Sequence, residues 1–184
     1  MKKSNYNVIF IGDTPLLYSC IITSLDYFNK INLITKNKKI KRLLPKKIIN
    51  IRNFKNTNLT KIDFVFSIMN EKIINKKILN IQNIKFINFH DGPLPRYAGL
   101  YSSTWAIINN EKYHGITWHE INDLIDGGNI YLGKKFRIFK NDTAESIDLR
   151  SNYYGLELFK KLIKKIVLKK ITQTKQNLNK RTYY

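Results

Sequence analysis

The chain is poor in cysteine, histidine and acidic residues, and each shortage narrows the chemistry that it can perform. Its 184 residues include one cysteine, three histidines and 13 aspartates and glutamates. A single cysteine, Cys20, excludes a disulfide framework and a cysteine-based metal site within one chain. We therefore predict no metal site, and we expect a reducing, cytoplasmic location.

Long apolar runs are also missing. No stretch approaches the ~20 residues that cross a bilayer, so we expect no membrane span. The segment Met1–Asn5 leads directly into a strand pattern, and we expect no signal peptide. The composition is 43% hydrophobic and 12% aromatic, which is typical of a globular chain with enough length for one domain.

Basic residues, in contrast, are abundant. Thirty-three lysines and arginines give a net charge of +20. Nucleic-acid binding is one explanation, and a merely solvated basic surface is the other. The lysines are scattered, and neither an arginine cluster nor a basic–aromatic alternation is found. Isoleucine and asparagine are also frequent, which is typical of AT-rich codon usage. We expect no specific nucleic-acid site, although tRNA is not excluded as a substrate.

Short apolar runs alternate with segments of helical spacing through the first half of the chain. The run Asn7–Ile11 is followed by a Gly-Asp-Thr-Pro turn and then by apolar residues at helical spacing after Pro15. This pattern predicts a strand–helix–strand unit, which is typical of a parallel sheet. Further strands are predicted at residues 31–34, 63–68 and 86–89, and short helices at 40–44, 73–79 and 101–108.

The second half is richer in predicted strands, at residues 115–119, 130–132 and 136–138. Asp142 and Glu145 resemble a capping box that begins a long helix running towards Lys169. We predict an α/β fold with a doubly wound, Rossmann-like, mostly parallel sheet flanked by helices. The predicted domain covers residues 1–170, and residues 171–184 form a polar, basic tail that we expect to fray.

Two polar side chains follow each other at the end of the predicted strand 86–89. Asn88 and His90 are two residues apart, so they leave the same face of the strand. The carboxyl end of a parallel strand is where ligands bind in such sheets. An amide and an imidazole there can both donate to one oxygen and stabilise an oxyanion. The alternative is a histidine that ends a strand and bonds a loop carbonyl.

Asp126 is the candidate carboxylate for this site. It precedes Gly127 and Gly128, which permit a tight turn close to a ligand. A carboxylate beside an imidazole orients the ring, although an ordinary Asp-Gly turn explains the same residues. His119 either contacts this carboxylate without touching the substrate, or is simply a residue at the end of its strand.

Four separated motifs together resemble the formyltransferase family that uses 10-formyltetrahydrofolate. They are Asn88-Phe89-His90, Leu94-Pro95 with Gly99, Gly115-Ile116-Thr117, and Asp126-Gly127-Gly128. The resemblance extends over roughly residues 7–164. It implies an enzyme of one-carbon transfer, with 10-formyltetrahydrofolate as cosubstrate and with Asn88, His90 and Asp126 as the catalytic triad.

The same resemblance implies the remaining site residues. Leu94, Pro95 and Gly99 belong to a loop beside the substrate. Folate contacts are expected around Met69–Ile73 and Ile121–Ile125, with Met69, Asn70, Ile73, Ile121, Asn122 and Asp123 as the named candidates. Ser67-Ile68-Met69-Asn70 departs from the small, glycine-containing stretch of many members.

The acceptor is predicted from the finer resemblance. The stretches "INFHDGPLPRYAGL", "HGITWHEI" and "DTAESIDL…YYGLELF" resemble formylation domains of nonribosomal peptide synthetases, which implies an aminoacyl group on a carrier protein. Methionyl-tRNA and a nucleotide-linked amino sugar are the alternatives. Glycinamide ribonucleotide is disfavoured because residues 12–16 are not a glycine-rich phosphate loop. A folate-binding homologue without activity, and any oligomeric state, stay open.

Overall fold

A computed structural model describes residues 3–70 and 72–184; Met1, Lys2 and Glu71, which fall in the predicted lead-in and in the predicted folate loop, lie outside the described residues. The helices and strands, in chain order, are β1 Ser4–Ile11, α1 Pro15–Ser24, β2 Phe28–Ile34, α2 Lys38–Leu43, β3 Ile49–Asn50, β4 Phe64–Ile68, α3 Lys76–Leu79, β5 Lys85–His90, α4 Ser102–Ile108, β6 Tyr113–Glu120, β7 Ile130–Arg137 and α5 Ala144–Val167.

The seven strands form one mixed sheet in the order β3-β2-β1-β4-β5-β6-β7. The first five pair in parallel, whereas β6 and β7 are antiparallel to their neighbours. Helices flank the sheet, with α1, α2 and α5 on one face and the short α3 on the other. This arrangement confirms the predicted α/β, mostly parallel sheet. The order reverses between β1 and β4, and in such sheets ligands bind outside the carboxyl ends of the strands.

Both faces of the central strands are buried, which explains their continuous apolar sequence. Phe10 and Phe66 stack at 5.0 Å on one face and contact Phe159 of α5. Ile9 and Val65 belong to a smaller core on the opposite face. Alternate side chains of one strand therefore enter two different cores.

Two local predictions in the second half are wrong. The predicted strands 130–132 and 136–138 are one strand, because Gly133 and its neighbours continue to pair with β6. The helix α5 is capped by Thr143 and Ser146 rather than by Asp142 and Glu145. The side-chain hydroxyl of Thr143 accepts from the Ser146 N–H, and the hydroxyl of Ser146 accepts from the Thr143 N–H. The Asp142 carboxylate instead pairs with Arg150.

The segment 171–184 does not fray as predicted. Thr174 forms a two-way backbone bridge with Ile130 at 2.8 Å. Residues 182–184 pair in parallel with residues 98–100. The ring of Tyr184 stacks on Tyr97 at 5.1 Å and on Trp105 at 4.9 Å. These partners are distant in sequence, so the polar composition of the segment gave no sign of them.

Cys20 is buried in α1, where burial raises the pKa of its thiol well above the usual range.

Among the helices of the described part of the chain, none combines the length and the apolar character that a bilayer crossing requires.

Candidate active site

Asn88 and His90 lie at the carboxyl end of β5, on the face opposite the α5 core. Between them, Phe89 is 2% exposed and turns into that core, where it lies 5.2 Å from the ring of Trp118. Strand alternation therefore fixes the two polar side chains on one side. The antiparallel partner strand β6 places His119 opposite Asn88 and Thr117 opposite His90.

The side chains of Asn88, His119 and Asp126 form a contact chain. The Asn88 amide nitrogen lies 3.1 Å from His119 Nε2, and His119 Nε2 lies 3.4 Å from an Asp126 carboxylate oxygen. His119 Nδ1 lies 2.7 Å from the carbonyl of Glu120. Because a carbonyl only accepts, Nδ1 carries the hydrogen. Nε2 can then accept from the amide in the neutral ring, or donate to the carboxylate once protonated.

His90 is held between a carbonyl and two carboxylates. Its Nε2 donates to the Tyr97 carbonyl at 2.6 Å, as the strand-end alternative required. Its Nδ1 lies 3.7 Å from both Asp91 and Asp126, which is too far for a hydrogen bond. The ring is only 5% exposed. The structure thus brings Asn88, His90, His119 and Asp126 into one cluster, in which the histidines are buried and the other two side chains are half-buried.

Asp126 adopts a left-handed backbone conformation, with φ of 52°. Its carboxylate accepts from the Gly99 N–H at 2.9 Å. Burial would raise the pKa of Asp126, but the contact with His119, the charge of His90 and the Gly99 N–H outweigh it and lower the pKa to about 2. The group is therefore a stable anion at neutral pH.

The loop that carries Leu94, Pro95 and Gly99 is anchored to β6. Leu94 N–H donates to the Thr117 hydroxyl at 3.1 Å, and that hydroxyl donates to the Gly92 carbonyl at 2.8 Å. One hydroxyl therefore fixes two points of the loop. Thr117 is the last residue of the Gly115-Ile116-Thr117 motif, but this anchoring role was not predicted from the motif.

The candidate folate residues lie on two loops near this edge. Met69 follows β4, whose last residue pairs with Phe89, and Ile121 donates its backbone N–H to the Phe86 carbonyl at 2.9 Å. Asp123 pairs with Lys76 at 2.8 Å. The other candidates have local or solvent-facing side chains: Asn70 donates to the Lys72 carbonyl, Asn122 accepts from Leu124, and Ile73 is 84% exposed.

Gln176 is a residue near the site that sequence reasoning missed. Its amide nitrogen donates to the carbonyls of Asp126 and Gly128 at 2.8 and 2.6 Å. In the sequence Gln176 is one polar residue among many in the segment 171–184. Nothing in that pattern predicts its contact with the Asp126 turn.

A groove of about 590 Å³ lies beside the loop that carries Leu94. Its lining includes Leu94, Thr117 and Lys135. The catalytic candidates do not line it. Over residues 3–70 and 72–184, no group of three or more histidines, cysteines, aspartates or glutamates is placed to hold a metal ion.

The fold and the site together define a class of α/β protein with a Rossmann-like sheet. In this class an amide, two imidazoles and a carboxylate lie together near the strand ends. The sequence profile of the family described as Formyl transferase matches residues 26–163. The chain belongs to the formyl transferase family.

Curated relatives carry several different names. The chain is 29% identical to the bifunctional polymyxin resistance protein ArnA of Wigglesworthia glossinidia brevipalpis, over 83% of this chain and 24% of that protein. It is 28% identical to the phosphoribosylglycinamide formyltransferase of Haemophilus influenzae, over 83% and 75%. It is 30% identical to a methionyl-tRNA formyltransferase of Buchnera aphidicola, over 95% and 55%. The chain thus spans a quarter to three quarters of the length of these relatives.

Two solved structures are similar in both fold and sequence. One is WlaRD, a sugar 3N-formyl transferase in the presence of dTDP and 5-N-formyl-THF, with a TM-score of 0.82 and 28% identity over 98% of this chain and 70% of that one. The other is the N-formyltransferase of Helicobacter canadensis in complex with folinic acid and dTDP-3-aminofucose, with a TM-score of 0.83 and 26% identity over 97% and 70%. These relatives give no support to the predicted likeness to peptide synthetase domains.

Proposed function

We propose that this protein is an N-formyltransferase that moves a formyl group from 10-formyltetrahydrofolate to the amine of a nucleotide-linked amino sugar. The observation that carries the proposal is the cluster of Asn88, His90, His119 and Asp126, in which two buried imidazoles lie between a half-buried amide and a half-buried carboxylate. The two solved relatives, described with a formyl-folate or folinic acid and with dTDP or a dTDP-amino sugar, support this choice of donor and acceptor.

The cluster suits attack by an amine on a formyl carbon. A carbon–nitrogen bond forms to the amine, and the formyl oxygen becomes an oxyanion. The Asn88 amide has two hydrogens, so one can stay on His119 while the other donates to this oxygen. His90 is anchored through Nε2 on Tyr97, which leaves Nδ1 to donate when it carries a proton. The bond to folate N10 then breaks, the amine loses a proton and N10 gains one.

The low pKa of Asp126 limits its part in this proton transfer. A carboxylate with a pKa of about 2 is a weak base, and holding a proton at pH 7 costs about 7 kcal/mol at 1.36 kcal/mol per pH unit. We therefore assign Asp126 to stabilising positive charge on His90 when the Nδ1 of that ring carries a proton. The proton passes to solvent or to N10 rather than resting on this carboxylate.

The test is transfer to a panel of acceptors. The purified protein is incubated with 10-formyltetrahydrofolate and, separately, with a dTDP-amino sugar, methionyl-tRNA, glycinamide ribonucleotide and an aminoacyl carrier protein. Mass spectrometry then detects replacement of one amine hydrogen by a formyl group. Modification of the amino sugar, absent with Asn88→Ala, supports the proposal. Folate binding without transfer to any acceptor refutes it and favours the folate-binding homologue.

Methionyl-tRNA is the second candidate acceptor. Two observations favour it: the net charge of +20, which attracts a polyanion, and the methionyl-tRNA formyltransferase relative that matches 95% of this chain. The panel separates the two acceptors, because methionyl-tRNA modification without amino-sugar modification would select this candidate. The aminoacyl carrier protein is tested as one of the acceptors in the panel.

A further inference from the structure

We propose that residues 171–184, here called the C-terminal segment, position the catalytic groups, and that Gln176 is the positioning residue for Asp126. The inference rests on the proposed formyl transfer and assigns a role to residues that the family profile, which ends at residue 163, does not cover.

Gln176 is built into the interior rather than lying on the surface. It is 6% exposed, although its neighbours Lys175 and Asn177 are exposed. Its amide nitrogen uses both hydrogens, on the Asp126 carbonyl at 2.8 Å and on the Gly128 carbonyl at 2.6 Å. A single side chain therefore spans the turn that carries the catalytic carboxylate.

Contacts from distant segments hold this turn in addition to its local preference. Asp126 is in the left-handed region at φ of 52°, which aspartate adopts less readily than glycine but more readily than most residues. On its other side, Gly128 lies so close to Glu120 that an added Cβ would come within 2.0 Å of the Glu120 carbonyl oxygen. The turn is thus held between β6 and Gln176, and its backbone orientation sets the direction of the Asp126 carboxylate.

The same segment also holds the partner of His90. The Thr182 hydroxyl accepts from the Tyr97 N–H at 2.8 Å, and the Tyr97 carbonyl accepts from His90 Nε2 at 2.6 Å. Backbone pairing of residues 182–184 with residues 98–100 fixes Gly99, whose N–H donates to Asp126. Asp126 and His90 therefore each have a neighbour that the C-terminal segment fixes in place.

Gln176→Met tests the role of the two hydrogen bonds, because methionine is similar in length and has no donor. Gln173→Met is the matched control, since Gln173 is an exposed residue of the same segment. A misplacement of about 1 Å can cost on the order of 100-fold in rate. We expect kcat of Gln176→Met to fall on the order of 10-fold or more, with KM for folate changed less than about twofold and with Gln173→Met unchanged.

Gln176→Glu adds a readout that a purely structural role would not give. A protonated carboxyl can donate to one of the two carbonyls, whereas a carboxylate cannot. The ratio of its kcat to that of the wild type should therefore rise as the pH is lowered from neutral. A kcat of Gln176→Met within twofold of the wild type, or a flat ratio for Gln176→Glu, overturns the proposal.

Histidine NMR tests positioning without any substrate. The chain has three histidines, His90, His114 and His119, so their imidazole nitrogen signals can be assigned. His119 contacts Asp126, whereas His114 bonds the Asp91 carbonyl. Gln176→Met should shift the His119 signals and leave those of His114 in place; unchanged His119 signals overturn the proposal. If the wild type transfers no formyl group, the proposed function fails, and this spectrum still decides the positioning role.

Thr182→Val provides a second variant should Gln176→Met fail to fold. Valine has the shape of threonine but cannot accept from Tyr97, and the site is half-buried. A shift of the His90 signals with a lower kcat supports the proposal, and wild-type signals with wild-type kcat overturn it.

Discussion

Replacing Asp126 with asparagine should remove a defined part of the acid sensitivity of folding. The carboxylate is 10% exposed, lies 3.4 Å from His119 and accepts from Gly99. Burial raises its pKa, but these partners lower it from the usual 3.8 to about 2. At 1.36 kcal/mol per pH unit, this difference corresponds to about 2 kcal/mol of folding free energy.

The sign follows from the direction of the change. The folded-state pKa lies below the unfolded value, so the stabilisation is fully present above pH ~4 and is lost as the pH falls towards ~2. Asp13 and Glu111 also have a lowered pKa, so the wild type should lose more than this one contribution. Comparison with Asp126→Asn cancels the contributions of these distant groups.

Urea denaturation near pH 6 and pH 2.5, in a stabilising sulfate buffer, measures the effect. Between these two conditions the wild type should lose about 1.5 to 2 kcal/mol more than Asp126→Asn. Asp123→Asn, which removes an exposed carboxylate from the preceding loop, is the matched control. An equal loss in the wild type and in Asp126→Asn would refute the assigned contacts of this carboxylate.

Three further outcomes are expected. Asn88→Ala and His90→Ala should each lower kcat ~100- to 1000-fold in the formyl-transfer assay; near-normal turnover in either folded variant would contradict their roles. Gly155→Ala should destabilise, because its Cβ would lie 2.6 Å from the Phe89 ring and overpacking costs about 1 to 3 kcal/mol; a raised Tm would be inconsistent with this packing. Phe159→Ala should lower the free energy of unfolding by about 3 to 5 kcal/mol, and a loss below ~1 kcal/mol would show that Phe159 is not a core residue.

The central strands could be predicted because their signal is local. The apolar run of β4 at Phe64–Ile68 is buried throughout, and its neighbours follow the same rule. Strand alternation likewise predicts from the sequence alone that Asn88 and His90 lie on one face. The α/β class followed from the order of these local patterns.

Predictions failed where a distant segment supplied the partner. Residues 133–135 separated two predicted strands, but β6 pairs with these residues as well and extends the strand through them. The segment 171–184 looked like a fraying tail, but Tyr97 and Trp105 receive the ring of Tyr184. Composition cannot reveal such contacts, because it describes a segment without its neighbours.

The sequence by itself determined the strands, the sheet class and the presence of an amide, an imidazole and a carboxylate able to act together. Only the tertiary structure decided that His119 joins Asn88 to Asp126 and that Gln176 holds the turn beneath that carboxylate. The physical reason is that side-chain direction within a strand is set by neighbouring residues, whereas distances between strands and loops depend on register and on the path of the whole chain.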